Sequence, residues 1–559
     1  MTTRSLVRLL AAYLVGLVVV CVVVRSVVGL HIDPQRRGEV IASVWAKGAL
    51  VARSVVAAPG DRDATLDAAM AATPGATLVH EQVVAEGPIA TRPELAFAMS
   101  LVAGKDGVKA TRAGATAYVT PDDLLSRQGY DKGHTLTDLS LSIGADVPLV
   151  LALLAERLQT TVPEIVSSAT IHRIRVERTI AGAPPASQPT AASLTVADVR
   201  AAALDAGRYL ARGVRADGHF RYFVDAPTNR TLSGYDWPRH AGATYFLAQV
   251  SAMIDDPILS SATLRAARLL SSSALTTCGD TTCIGTDDVV EIGSSALAAI
   301  ALSEVVRTGL ATEYRKTVGD LARFLRTQQR ADGEFMHQYD RMSHRAVDVQ
   351  FLYFSGEATL ALARASAITG DPADLAAASR GLAHLVGPAW HFFGSRYYFG
   401  EEHWTCQALD DLWEAAPDPK ALDFCIRWHE QNRLMQFREG DAPFDVEGSY
   451  GVSAIVTPRL TPAGSRSEAA VATLSAARKA GLPQAQLDAL DGQLRRSLAL
   501  VVRQQFRPGP AHLFADPDAV YGAIPGSSVD WQIRIDYPQH AGSAMVRWIF
   551  LQGPAGTRK

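Results

Sequence analysis

Two near-copies of one heptapeptide carry the most suggestive chemistry in this chain. DWPRHAG at 236–242 returns as DYPQHAG at 536–542, with Asp, Pro, His, Ala and Gly in register. Part of the unit has a plain helical use: Asp caps an N-terminus, Pro suits the first turn, and Ala-Gly lets helices approach closely. Capping does not need an imidazole, so His240 and His540 stand out as acid/base groups or metal ligands. Carboxylates recur at comparable places, namely Asp236, Glu291, Glu357, Glu401 or Glu402, Glu468 and Asp536. Glycoside chemistry needs two such groups, one protonated and one charged. Most of these are instead expected to be first-turn residues favourable to a helix dipole. The candidate catalytic set is Asp236, His240, Glu357, Glu402, His403, Asp536 and His540, with carboxylates as acid and base and His as proton carrier.

Aromatic residues crowd the intervening loops, above all in WHFFGSRYYFGEEHW at 390–404. Trp237, Tyr398, Trp404 and Tyr537 are candidate platforms for sugar rings, although 390–404 would serve equally as a packed loop over the core. Arg239, Arg396, Arg459 and Arg466 could bind a carboxylate, as in an acidic polymer. The segment TTCGDTTC, a polar Gly-Asp turn between Cys278 and Cys283, suits a small disulfide loop; two free thiols or half a metal site are the alternatives. Cys406 and Cys425 lie on helical patterns, where buried free thiols are expected.

Helices must position these groups. Small-residue helices begin near His240, Glu291, Glu357, His403, Arg466 and His540. Between them lie amphipathic stretches such as 196–213, 317–328, 421–432 and 487–505, with apolar residues at spacings of three and four. RADGHFRYF at 215–223 and RADGEFMHQY at 330–339 each follow one of these, and Asp-Gly supplies a left-handed turn after the helix. Each hairpin pairs an Ala-rich helix with an amphipathic one.

With six such hairpins the region resembles the α/α toroid superfamily, the (α/α)6 barrels of glycoside hydrolases, polysaccharide lyases, sugar epimerases, lanthionine cyclases and terpene cyclases. The resemblance is architectural, and it implies that inner helices start at one mouth, that loops there carry the chemistry, and that ring closure sets the two heptapeptides side by side. HWTC at 403–406 is similar to an element of lanthionine cyclases, whose zinc is held by two Cys and a His, but no Cys-His-Gly follows. Cys406 with His240 and His540 has zinc-type donors, yet the fourth hairpin would lie across the ring from the first and sixth. No cofactor is therefore expected. The chain also lacks the acidic motifs of a terpene cyclase.

The remaining chain sets the context. Its 559 residues are 48% hydrophobic and 20% charged with a net charge of −3, which gives no basic surface for nucleic acid. The apolar run at 9–24, flanked by Arg8 and Arg25, reads as a membrane anchor over residues 1–30, with an extracytoplasmic body behind it. Residues 38–180 read as a small α/β domain, with helices at 61–72 and 148–158 and strands at 107–111 and 115–120. GAPPASQPTAA marks a linker within 181–194, and 195–555 is the helical ring. The fold class is thus mainly α, a transmembrane helix and small α/β domain preceding an (α/α)6 toroid. The functional expectation is an enzyme of the inner membrane that processes an envelope or secreted polysaccharide by hydrolysis, elimination or epimerisation. A non-catalytic scaffold for envelope assembly partners and a metal-dependent peptide-processing toroid are the alternatives.

Overall fold

The computed structural model of the chain describes Gly16 and residues 37–553, except 90, 93, 131–132, 137–138, 143, 183–187, 388, 390–402, 442–443, 452–455 and 508–509. It divides into two compact units. The first comprises 1–184 with 455–457 and 509–517, the second the rest.

In the first unit six strands form one antiparallel sheet: β1 (Val40–Ala46), β2 (Ala49–Val56), β3 (Thr77–Pro88), β4 (Asp106–Arg112), β5 (Ala115–Val119) and β6 (Thr170–Ile180), in the order β2-β1-β3-β6-β4-β5. Short helices, Ala64–Ala72 and Val147–Arg157 among them, accompany the sheet. Its interior is unusually ionic. Asp123 is bound by Arg53 at 2.7 Å and by both terminal nitrogens of Arg157, Asp122 pairs with Arg178 and His512, and Glu81 on β3 is fully buried beside them.

Among its described residues the second unit has, with short strands in the loops between them, twelve long helices in strict alternation. They are α1 (Val196–Arg212), α2 (Trp237–Ser251), α3 (Pro257–Leu270), α4 (Ile292–Arg307), α5 (Arg315–Thr327), α6 (Phe354–Thr369), α7 (Pro372–Leu385), α8 (His403–Leu412), α9 (Pro419–Arg433), α10 (Leu460–Lys479), α11 (Gln484–Gln504) and α12 (Asp536–Gln552). Even-numbered helices pack on one another in sequence, and α12 closes back onto α2. Odd-numbered helices lie outside them. The sequence pattern explains the division: α4 is buried from Ile292 to Val306 without a break, whereas α5 buries only the stripe Val318, Leu321, Ala322, Phe324 and Leu325.

Ring closure brings the two heptapeptides together at the α2–α12 contact. A Cβ on Gly542 would lie 2.2 Å from the Phe246 ring, and one on Gly242 would lie 2.9 Å from the Gln539 side chain, so both glycines permit the close approach. The RADG glycines, Gly218 and Gly333, adopt φ of +91° and +94° a few residues after α1 and α5 end.

Two expectations are corrected here. Among the described residues no helix is long and apolar enough to cross a membrane, so the inner-membrane single-pass reading, with its extracytoplasmic body, loses its support. The segment on which it rested, 1–30, lies outside the described residues apart from Gly16. Cys406 and Cys425 are not free thiols: they form a disulfide between α8 and α9, and Cys278–Cys283 forms a second.

Candidate functional site

The starts of the inner helices surround a cavity of ≈ 1090 Å³. Residues from all six inner helices or their lead-in loops line it, including Trp237, Glu291, Glu357, His403, Arg466 and His540.

One side of the cavity is an ion-pair bridge between the repeats. Asp236 caps α2 by accepting from the Arg239 backbone N–H at 2.9 Å, and it also accepts from the Tyr222 hydroxyl at 2.7 Å and pairs with the Arg239 guanidinium. Asp536 accepts from Arg534 Nε and Nη2 at 2.6 and 2.9 Å, and Arg239 Nε stands 3.5 Å from it. These contacts, with Arg239 reaching both carboxylates, tie α2 to α12. Tyr537 belongs to the same wall, its ring between Arg459 and Arg534 and its hydroxyl accepting from Arg459 at 3.1 Å.

Glu357, in the first turn of α6, has the opposite environment. It is buried, its Oε2 has no hydrogen-bond partner among the described residues, and desolvation pushes its pKa well above the usual carboxylate range, outweighing the attraction of Arg239. A Cβ on Gly293 would lie 2.6 Å from that oxygen, so the glycine of α4 leaves the carboxyl its room. Glu291 is also raised, by desolvation first and then by Asp236. The cavity therefore holds a carboxyl group kept neutral by desolvation near carboxylates that are paired with arginines.

The third element is an imidazole cluster. His540 Nδ1 lies 2.6 Å from Oε2 of the fully buried Glu468 on α10, and Gln539 donates to the other oxygen of Glu468 at 3.4 Å. His403, at the start of α8, has its ring centroid 5.4 Å from that of His540 and 4.5 Å from that of Trp404. It is buried, and neither ring nitrogen has a hydrogen-bond partner among the described residues. Desolvation, with the positive charge of Arg466 and the neighbouring His540, drives its pKa well below the ordinary value, so the ring is neutral. Arg466 is itself buried, over the Tyr450 ring at 4.7 Å.

His240 does not join this cluster. Its Nδ1 is 2.6 Å from the Tyr235 hydroxyl and its Nε2 is 3.1 Å from the Ala266 carbonyl oxygen of α3, and burial lowers its pKa to about 4. It is a neutral core residue with both ring nitrogens bonded, it does not line the cavity, and Cys406 of the zinc set considered above is held in a disulfide. Arg396, Tyr398 and Glu402 lie outside the described residues. Glu468 was legible only as one of several helix-start carboxylates; a histidine partner on another helix leaves no local pattern. Among the described residues, His403, Glu468 and His540 are the set with metal-ligand geometry.

No family model matches the sequence, and no curated protein is similar to it. Among solved structures, a D-mannose isomerase superposes with a TM-score of 0.51 at 12% identity, over 65% of this chain and 99% of that one. The protein is an (α/α)6 toroid. A sugar epimerase from a ruminal bacterium matches this toroid over 65% of the chain and 100% of its own, at 10% identity and a TM-score of 0.49. Cellobiose 2-epimerase from Bacillus thermoamylovorans B4167 matches over 64% and 99%, at 12% and 0.49. At these identities the likeness concerns the fold.

Proposed function

We propose that the toroid is a carbohydrate-active enzyme that moves a proton at a sugar carbon beside a carbonyl, as in epimerisation or aldose–ketose isomerisation. The observation that carries this reading is the His540–Glu468 pair at the cavity wall, with a second, neutral imidazole facing it. A buried carboxylate on Nδ1 fixes the tautomer that leaves Nε2 as base and stabilises the imidazolium formed when the base takes a proton. The proton returns to carbon from the His540 imidazolium, and His403, uncharged, is suited to hydrogen-bond the reacting sugar from a different direction. Glu357, kept neutral by its apolar surroundings, can donate a hydrogen bond to the oxygen that becomes negative as the proton leaves. Trp237 and Trp404 offer rings for the sugar face. The mannose isomerase with the same fold adds support by analogy.

The substrate class this reading favours is an oligosaccharide or polysaccharide end with a free carbonyl, since the cavity is far larger than one sugar ring. Hydrolysis is the second reading, favoured by the neutral Glu357 in the same cavity as the arginine-paired Asp236, since glycoside cleavage uses a pair of carboxyl groups. The deciding experiment incubates full-length protein with reducing mono- and oligosaccharides in D2O and follows the C2 proton by NMR, with reducing ends measured in parallel. Loss of the C2 signal that disappears in His540→Ala supports proton transfer. New reducing ends without deuterium uptake favour hydrolysis, and neither signal across neutral and acidic sugars would transfer the weight to a non-catalytic binding role.

A further inference from the structure

The orphaned His403 points to an ion. His403, Glu468 and His540 each offer one ligand atom, and these three atoms lie within 4.8 Å of one another. Only one pair among them is a hydrogen bond, that between His540 and Glu468 at 2.6 Å. Nothing among the described residues satisfies either nitrogen of His403, although the side chain is buried and a buried polar group without a partner is costly. Proton transfer alone leaves that nitrogen pair unexplained in the resting protein. A cation between the three side chains supplies His403 with the missing partner.

The donor types narrow the choice. Two imidazoles and one carboxylate match zinc and its transition-metal neighbours, whereas magnesium and calcium favour oxygen throughout. Ligand atoms sharing one tetrahedral ion at 2.0–2.2 Å stand about 3.4 Å apart, so the observed spacing closes with side-chain shifts on the order of an ångström. The three ligands come from three inner helices, α8, α10 and α12, which fixes their directions from separate rigid elements. Arg466 adds positive charge behind His403. It weakens the attraction for a cation, and the buried Glu468 opposes it; together the ion and Arg466 would favour an oxyanion in the open fourth position.

We propose that His403, Glu468 and His540 bind one zinc-class divalent transition-metal ion, and that its occupancy withdraws His540 from proton transfer. The binding claim stands apart from the catalytic reading, and only the inhibition claim rests on it.

Metal-stripped full-length protein is titrated with Zn2+ by calorimetry and with Co2+ by visible absorption, which reports four-coordinate geometry directly. One ion per chain is expected, bound at least 100-fold more weakly by His403→Ala and at least 10-fold more weakly by Glu468→Gln, with the exposed-histidine control His344→Ala unchanged. Zn2+ should raise the thermal midpoint of the wild type and leave that of His403→Ala where it is, a readout that also exposes a misfolded variant. Absence of saturable binding, or equal affinity in His403→Ala, overturns the site. In the exchange assay, suppression by Zn2+ that a chelator reverses supports inhibition, and stimulation by Zn2+ refutes it. If Zn2+ binds as described while no sugar is ever deuterated, the metal site stands and the catalytic reading falls.

Discussion

Replacing Glu468 by Gln tests the proposed site most directly, because the change is nearly isosteric and alters only the charge on the partner of His540. Glu468 is fully buried, and its Oε2 is 2.6 Å from His540 Nδ1, so no water can take over the contact. With an amide there, the imidazolium formed during proton abstraction loses its counter-charge, and an amide N–H can present itself to Nδ1 and invert the tautomer. A positioned general base contributes roughly 10²–10⁴-fold, and an amide in place of an orienting carboxylate costs about 10⁴ where the tautomer inverts. The expected fall in kcat is therefore about 10²–10⁴-fold, on the order of 3–5 kcal/mol of barrier. KM should change little, since Glu468 sits behind the histidine. The assay is C2–H exchange in D2O at saturating sugar, with the thermal midpoint as a check on folding. A folded variant whose kcat stays within about threefold of wild type would refute the role of the pair, because that is less than the smallest general-base contribution.

Four further outcomes follow from the packing and the buried charges. His240→Ala should cost about 2–4 kcal/mol in stability, through a lost buried ring and two lost hydrogen bonds, while the folded fraction keeps its turnover; a selective loss of kcat at normal stability would return His240 to the chemistry. His240 also makes stability pH-dependent: its folded pKa of about 4 lies below 6.5, so the stability it contributes is full above pH 6.5 and is lost as pH falls toward 4, and the acid-side decline should be shallower in a His240→Phe protein. Gly542→Ala places a methyl 2.2 Å from Phe246 and should destabilise the α2–α12 contact by about 1–3 kcal/mol, read by chemical denaturation; a neutral effect would mean that the ring closure gives way easily. Glu81, pushed up to about 8 by desolvation and then by Asp122, favours the protonated folded state, so its contribution is complete below pH 4.5 and disappears as pH rises through 8. Glu81→Gln should remove that slope, gaining roughly a few kcal/mol relative to wild type at pH 9; parallel pH–stability curves for the two proteins would show that Glu81 is not the titrating group.

Much of the ring could be read from the sequence because the physics is local. An all-buried helix reads as a continuous small and apolar run, as in 292–306, and an outer helix as a three-and-four stripe, as in 318–325. The helices α3 and α7 escaped that reading, although each opens on Asp-Pro, with Asp256 and Asp371 as caps accepting from the first turn. Strand β3 escaped for a different reason. It is buried on both faces and carries His80, Glu81 and Gln82 inside, so neither alternation nor an apolar run marks it. The Cys406–Cys425 bridge was hidden because helical spacing along each chain segment says nothing about which helices touch.

The repeat itself shows where local reading ends. His240 and His540 occupy the same place in the same motif at the start of inner helices, and Asp236 and Asp536 join through one arginine. What each imidazole does is decided by what stands opposite. α3 offers His240 the Ala266 carbonyl oxygen, and Tyr235 closes its other side, so both ring nitrogens are bonded. α10 offers His540 a buried carboxylate, and α8 adds an unsatisfied imidazole 5.4 Å away, centroid to centroid. A motif copied along a chain thus keeps its packing role in both places, through Gly242 and Gly542, whereas only Asp236 of the two aspartates caps its helix. Its chemistry survives only where another helix supplies the partner, which is why Glu468 marks the site more specifically than either histidine does.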